Sequence, residues 1–142
     1  MTHPRTEIKN NIKALLDPIG PPVYVSRARD LRKGEDEAII IYAPQETLRR
    51  GPGTGEMRPG MPVFRATTIE ILVLTRKPGD GQEAAERGDE LARAIELALN
   101  DGAPALAPTA ASQAFSEAEQ TQCLTAITYV IDHIDSMKGS AA

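Results

Sequence analysis

The last apolar segment of the chain, with the order of the segments before it, most constrains the fold. Across residues 123–134, Ile127, Tyr129 and Ile131 alternate with Thr128, Val130 and Asp132. This two-residue period is that of a β-strand. Residues 64–75 form a second long strand pattern, in which Ile69, Ile71 and Val73 share one face. The two strands predict a sheet, and the helical patterns elsewhere predict what covers it.

Two segments have helical spacing. Residues 5–16 carry an apolar stripe of Ile8, Ile12, Leu15 and Leu16, and Asp17-Pro18 ends it, because the residue before proline is pushed out of the α region. Residues 81–99 form a longer, acidic helix with a weak point in its stripe at Gly88. Asp80 is its predicted N-cap, and Asn100-Asp101-Gly102 its C-terminal stop.

The remaining segments are shorter or irregular. Val23-Tyr24-Val25 predicts a short strand, and residues 38–42 a buried strand that Ala43-Pro44 ends. Residues 103–122 are predicted to be irregular, with at most a short strand near Leu106, and residues 137–142 to be a disordered tail.

The predicted fold class is α/β (α+β). A mixed, mostly antiparallel sheet of about four to five strands carries the two main helices on one face, in a single domain of residues 1–142. The step from 64–75 through 81–99 to 123–134 has the order of a βαβ unit. Aromatic residues make up only 4% of the chain, so the core is aliphatic and thin, of a kind that a neighbouring subunit often completes.

Charge and composition exclude several classes of protein. The net charge is −4, with seven Lys/Arg against three acids in residues 1–33 and five against twelve in residues 66–142. This charge distribution is not that of a nucleic-acid-binding domain, which would be strongly basic. The opposite charges of the two parts suit head-to-tail association between copies, or they form an ordinary mixed surface. Cys123 is alone, and no segment resembles a signal peptide or a membrane span. We therefore expect a soluble protein made in the cytoplasm, with no membrane partner.

No pattern predicts catalysis, a metal or a cofactor. Asp132 and His133 are strand neighbours, so their side chains point to opposite faces and do not converge on one ion. Cys123 reads as a small core residue, since no partner that would activate its thiol is evident. Ser26 lies beside Arg27 and Arg29, which could bind an anion, but no base is evident. The chain is predicted not to be an enzyme.

The segment 45–62 carries most of the functional interest. It contains Arg49-Arg50-Gly51-Pro52-Gly53-Thr54-Gly55 and Arg58-Pro59-Gly60, which predict a flexible loop or a mobile hairpin. Its glycines match neither phosphate-binding pattern, and Pro52 removes an N–H from any anion nest. The loop is an arm that meets acidic protein surface or is simply disordered. The predicted protein-interface residues are Arg49, Arg50, Arg58, Arg27 and Arg29.

The order of elements resembles the tail terminator family of long-tailed bacteriophages, the lambda-type minor tail protein U. The similarity runs over nearly the whole chain and rests on four segments: the opening Met1–Ile8 with Ala14-Leu15-Leu16, then Val23–Arg27 with Ile39–Tyr42, then Ala66–Val73, and Leu124–Ile131.

The resemblance implies an α/β subunit that forms a six-membered ring at the head-proximal end of the tail. Such a ring caps the tail tube, stops tube polymerisation and provides the interface for head–tail joining, after assembly in the host cytoplasm. The implied partners are copies of the chain, the major tail tube protein and a head-completion protein. Three alternatives stay open: another head–tail connector component, a small non-catalytic α/β binding or regulatory protein that dimerises, and a small enzyme or ligand-binding α/β domain.

Overall fold

The computed structural model describes residues 3–26, 31, 34–50, 63–102, 105–116 and 121–135, with the backbone alone for residues 49, 50 and 135. These residues form helices α1 (Pro4–Leu16) and α2 (Gly81–Asn100), with a 3-10 turn, Asp17–Ile19, after α1. The strands are β1 (Val23–Val25), β2 (Glu37–Arg50), β3 (Val63–Arg76), β4 (Ala110–Phe115) and β5 (Gln122–Asp135).

The five strands form one sheet in the order β1-β2-β3-β5-β4. β1 is parallel to β2, and the other neighbouring pairs are antiparallel. This confirms the predicted mixed, mostly antiparallel α+β class. Both helices contribute to the cluster of core residues on one face of the sheet, as predicted.

Side-chain caps fix the starts of both helices. In α1, His3 Nδ1 accepts a hydrogen bond from the Arg5 N–H at 3.0 Å, and Pro4 occupies a first-turn position that needs no N–H donor. In α2, Asp80 Oδ1 accepts from the Glu83 N–H at 3.0 Å, which confirms the predicted N-cap. Both helices lie within one residue of their predicted bounds.

β2 is longer than the sequence indicates. It does not end at Ala43-Pro44 but continues to Arg50, pairing residues 45–50 with β3, so residues 45–50 are not a loop. The register shifts between Tyr42 and Gln45, and this irregularity accommodates Pro44, which has no N–H to donate to a ladder. Of the two predicted alternatives, a loop or a hairpin, the structure confirms the two antiparallel strands of a hairpin, β2 and β3. Residues 51–62 between them lie outside the described residues.

A strand that the sequence analysis missed changes the topology. Residues 110–115 form β4 at the sheet edge, although 103–122 were predicted to be irregular. The chain runs from β3 through α2 to β4, and β5 then inserts between them, antiparallel to both. The predicted βαβ step from β3 to β5 is therefore wrong: β3 and β5 are antiparallel, and the split unit is β3-α2-β4.

The sheet is apolar on both faces near its centre. On the helix face, Ile39, Ile71 and Ile127 are fully buried beneath α1 and α2. On the opposite face, Ile40, Leu72 and Leu74 are buried with Leu31. This explains why residues 38–42 read as a continuous apolar run. Neither described helix combines the length and the apolar character of a membrane span.

At Gly88, α2 lies close against the sheet. A Cβ added there would lie 2.6 Å from Thr125 Oγ1 and 3.4 Å from Gln113 Nε2. The glycine that interrupts the apolar stripe is therefore required by packing, because a larger residue would not fit against Thr125. We expect Gly88→Ala to lower the free energy of unfolding by about 1–2 kcal/mol, because overpacking outweighs the helix propensity gained. Urea unfolding measures this.

The matched control removes the atom that the added methyl group would meet. Thr125→Ala in the Gly88→Ala background should recover part of the loss, giving a favourable coupling energy in a double-mutant cycle. Additive effects of the two substitutions would show that the approach to Thr125 does not limit this site.

Candidate partner-binding surface

Three strands continue past the main core and form what we call the distal segment: residues 44–50 of β2, 63–68 of β3 and 132–135 of β5. None of these residues belongs to the two clusters of core residues. A strand of 14 residues is about 46 Å long, whereas a helix of 13 residues, such as α1, is about 20 Å long. The sheet is thus longer than the helices that cover it.

A mostly buried carboxylate ties the distal segment to α1. The side chain of Glu46 is 7% exposed; its Oε1 accepts a hydrogen bond from Arg65 Nη1. Arg5 Nε of α1 lies 3.1 Å from Glu46 Oε2, without an aligned hydrogen bond among the described residues. One acid therefore connects β2, β3 and the first turn of α1.

The histidine and acids of β5 are separated by the pleat. His133 is paired in register with Arg65 and lies on the helix side, where its Nε2 is 3.0 Å from Thr67 Oγ1. Asp132 is paired with Ala66 and lies on the other side, as predicted for strand neighbours. Among the residues that the structure describes, no group of three or more His, Cys, Asp or Glu side chains is placed to hold a metal ion.

Apolar side chains are exposed on both faces of these strand ends. Leu48 is 54% exposed on the helix side, and Ile134 is 63% exposed on the other side; Val130, also exposed, lies on the same face of β5 as Ile134, four residues earlier. A shallow groove of about 360 Å³ runs beside Ile134 and is lined by Phe64, Ala66 and Thr47, among others. Exposed apolar residues beside a polar rim are typical of protein-contact surfaces.

The predicted interface residues are only partly described. The backbones of Arg49 and Arg50 end β2, in register with Phe64 and Val63, so both belong to the distal segment. Arg58, Arg27 and Arg29 lie outside the described residues. The sequence analysis did not identify Glu46, Leu48 or Ile134 as site residues. Residues 45–50 were predicted to be a loop, and Ile134 only to be the last residue of a strand.

Cys123 is a core residue. It is fully buried on the helix side of β5, in register with Thr75. Burial raises the pKa of the Cys123 thiol above its ordinary value, which disfavours the reactive thiolate.

The acidic face of α2 is partly paired. Arg87 Nε donates to Glu37 Oε1 at 2.6 Å, which links α2 to the start of β2, and Arg87 Nη1 donates to Glu90 at 3.1 Å. The hydrogen bond with Glu37 raises the pKa of the Arg87 guanidinium. Two ion pairs within α2, Arg87–Glu90 and Arg93–Glu96, join residues three apart on the helix surface.

No family model matches the sequence, and no curated protein matches it. Among solved structures, the chain is similar to a protein in the virion of a native gene transfer agent particle, with 16% identity, a TM-score of 0.49 and coverage of 87% of this chain and 84% of that one. It is also similar to the sheath/tube terminator of an extracellular contractile injection system, with 10% identity and a TM-score of 0.41 over 95% of this chain and 58% of that one. At these scores the likeness alone establishes neither a common fold nor a common function.

Proposed function

We propose that this chain is a structural, non-enzymatic subunit of a phage-type tail. In this proposal six copies form a ring that caps the tail tube, stops its polymerisation and offers a surface for head–tail joining. The protein then resides at the head-proximal end of the tail in the virion, after assembly in the host cytoplasm. The proposal follows the sequence resemblance to lambda-type tail terminators.

The observation that carries the proposal is the distal segment. Strands that continue past the core expose Leu48 on the helix side and Ile134 on the other side, beside charged side chains, which suits a protein partner better than a small molecule. The groove there is shallow, and charged Asp132 is one of its lining residues. A ligand pocket of the usual kind encloses most of its ligand.

Termination requires two different surfaces on one ring. One face matches the last ring of the tube, and the opposite face does not accept tube subunits. A six-membered ring also requires a heterologous interface between copies that closes after six rotations. In the proposal the distal segment, with the arginines of residues 45–62, meets the tube end.

Alanine substitution of Arg49, Arg50 and Arg58 tests this assignment. We expect the triple variant to fold normally but to dock weakly on tube ends, because three positive charges are removed from the proposed contact. Electron microscopy of tails assembled with it should show uncapped tubes of uneven length, as in tails made without the protein. Circular dichroism and thermal unfolding check the fold.

A second variant tests the apolar part of the same surface. Ile134→Ser should reduce capping without loss of stability, since the side chain is already solvent-exposed. The matched control is Leu97→Ser, which changes an exposed leucine on α2, outside the distal segment. Tails of normal length with both the triple variant and Ile134→Ser would refute the assignment of this surface. Normal tails in the complete absence of the protein would refute the function itself.

A further inference from the structure

β4 is an edge strand without the features that usually protect a sheet edge. All six of its residues are exposed, and no described strand pairs with its outer side. Natural edges are blunted by charges, prolines, bulges or short length. Residues 109–116 contain neither a charged residue nor a proline, and β4 pairs with β5 in unbroken register.

The other sheet edge is protected. β1 has only three residues, of which Val23 is buried among the core residues. Ser26, immediately after β1, has a φ of 61°, a left-handed conformation that turns the chain out of the strand path. The two edges are therefore not equivalent as templates for a further strand.

The hydrogen-bond pattern identifies which groups of β4 point outward. Ser116 N donates to Gln122 O at 2.8 Å, so residue 116 forms a hydrogen-bonded pair with residue 122. Such pairs recur at every second residue of an antiparallel ladder, so the even-numbered residues of β4 bond β5. The N–H and C=O groups of Ala111, Gln113 and Phe115 point away from the sheet.

We propose that β4 pairs antiparallel with β4 of a second copy of this chain, about a two-fold axis at Gln113. In this register Gln113 faces its own equivalent and Phe115 faces Ala111, so all six outward backbone groups find partners. The bulky Phe115, 50% exposed, lies opposite a small residue, and no residue of β4 carries a charge into the pairing. The product is one continuous sheet of ten strands.

A strand from a different protein is less favoured by these residues. Recognition by strand addition usually combines backbone pairing with pockets for alternate side chains. Ala110, Ser112 and Ala114 on one face are small and exposed, and nothing in their pattern selects a particular partner sequence. The self-matching register, centred on Gln113, is what selects a second copy.

The inference does not depend on the proposed tail function. Two-fold pairing gives a closed dimer and not a ring, so the ring of the proposed function requires other surfaces. The free chain in solution is the form to which the inference applies.

Register-specific disulfide crosslinking tests the proposal. In the proposed register Ser112 faces Ala114 of the other copy as a non-hydrogen-bonded pair, with Cα atoms about 4.5 Å apart, within reach of a disulfide. Mixing Ser112→Cys with Ala114→Cys under mild oxidation should give several-fold more crosslinked dimer than either variant alone. The parent chain, whose Cys123 is fully buried, serves as the control and should not crosslink.

Light scattering with size-exclusion chromatography gives the second measurement. The parent chain should show a concentration-dependent dimer that is lost in Ala111→Pro, because proline removes one outward N–H without breaking a β4–β5 bond. Ala111→Ser, which keeps the N–H, should dimerise as the parent does. If Ala111→Pro fails to fold by circular dichroism, the crosslinking decides alone. Equal crosslinking in the mixture and in the single variants, or none, would overturn the proposal, as would a dimer unaffected by a folded Ala111→Pro variant.

Discussion

Replacing Arg65 by methionine is expected to lower the free energy of unfolding by about 2–4 kcal/mol, because it leaves a buried carboxylate without its main partner. The side chains of Glu46 and Arg65 are 7% and 11% exposed, and Arg65 Nη1 donates directly to Glu46 Oε1. Arg5 remains nearby, but its side chain is 43% exposed and makes no aligned hydrogen bond to Glu46. Urea unfolding at neutral pH measures the loss.

Two variants separate the ion pair from packing. Arg65→Met combined with Glu46→Leu removes both charges and should restore most of the stability, since a buried ion pair is commonly replaceable by apolar residues of similar volume. Arg93→Met is the exposed control: Arg93 lies 3.6 Å from Glu96 with 70% of its side chain exposed, so its effect should stay within about 0.5 kcal/mol. A loss below about 1 kcal/mol for Arg65→Met would mean that solvent screens this pair.

In the distal segment, different residues serve stability and binding. Glu46 connects β2, β3 and α1, so the Arg65→Met variant should weaken the positioning of these strand ends before it affects the rest of the sheet. The exposed side chains there, Leu48 and Ile134, contribute little to folding and remain available to a partner. The proposed function needs both properties, since a docking surface must be rigid as well as exposed.

Sequence periodicity predicted the elements that bury a face. α2, β3 and β5 carry apolar residues at regular spacing, and Asp80 with Asn100-Asp101-Gly102 marked the ends of α2. The buried run of residues 38–42 was also correctly placed in the sheet centre, since both of its faces are covered.

The elements that bury little were the ones missed. β4 has only small or exposed side chains, Ala-Ala-Ser-Gln-Ala-Phe, and its strand conformation follows from backbone pairing with β5. The extension of β2 after Pro44 is mostly polar. Its strand conformation likewise follows from backbone pairing, here with β3. Missing β4 also produced the wrong βαβ step, because only β4 shows where the chain crosses over before β5 returns.

The candidate surface was predictable only in outline. Arg49 and Arg50 drew attention to the right hairpin, but the face that Glu46 and Leu48 share depends on the register shift after Tyr42. A one-residue change of register exchanges the two faces of a strand. The sequence alone does not set that register, so it could not place Glu46 and Leu48 on the helix side, where Glu46 is buried near Arg5 of α1 and Leu48 is exposed.

Tyr129 is expected to make the fold sensitive to alkaline pH. It is fully buried, and its hydroxyl makes no hydrogen bond to any described residue. Burial raises the pKa of Tyr129 to about 12, and the charge of Glu96 adds to the shift. The ordinary pKa of tyrosine is about 10, so the unfolded chain loses this proton first, and stability falls as pH rises from about 10 to 12. The full effect is about 2.7 kcal/mol.

Tyr129→Phe isolates this effect, because the other tyrosines, Tyr24 and Tyr42, are present in both proteins. At pH 8 the variant should be at least as stable as the parent, since it removes a buried hydroxyl that makes no hydrogen bond to the described residues. Near pH 11.5 it should exceed the parent by about 2 kcal/mol, measured by urea unfolding at both pH values. A parallel decline of the two proteins would place the Tyr129 hydroxyl in contact with solvent. A loss above about 1 kcal/mol at pH 8 would instead mean that this hydroxyl makes a hydrogen bond that supports the core.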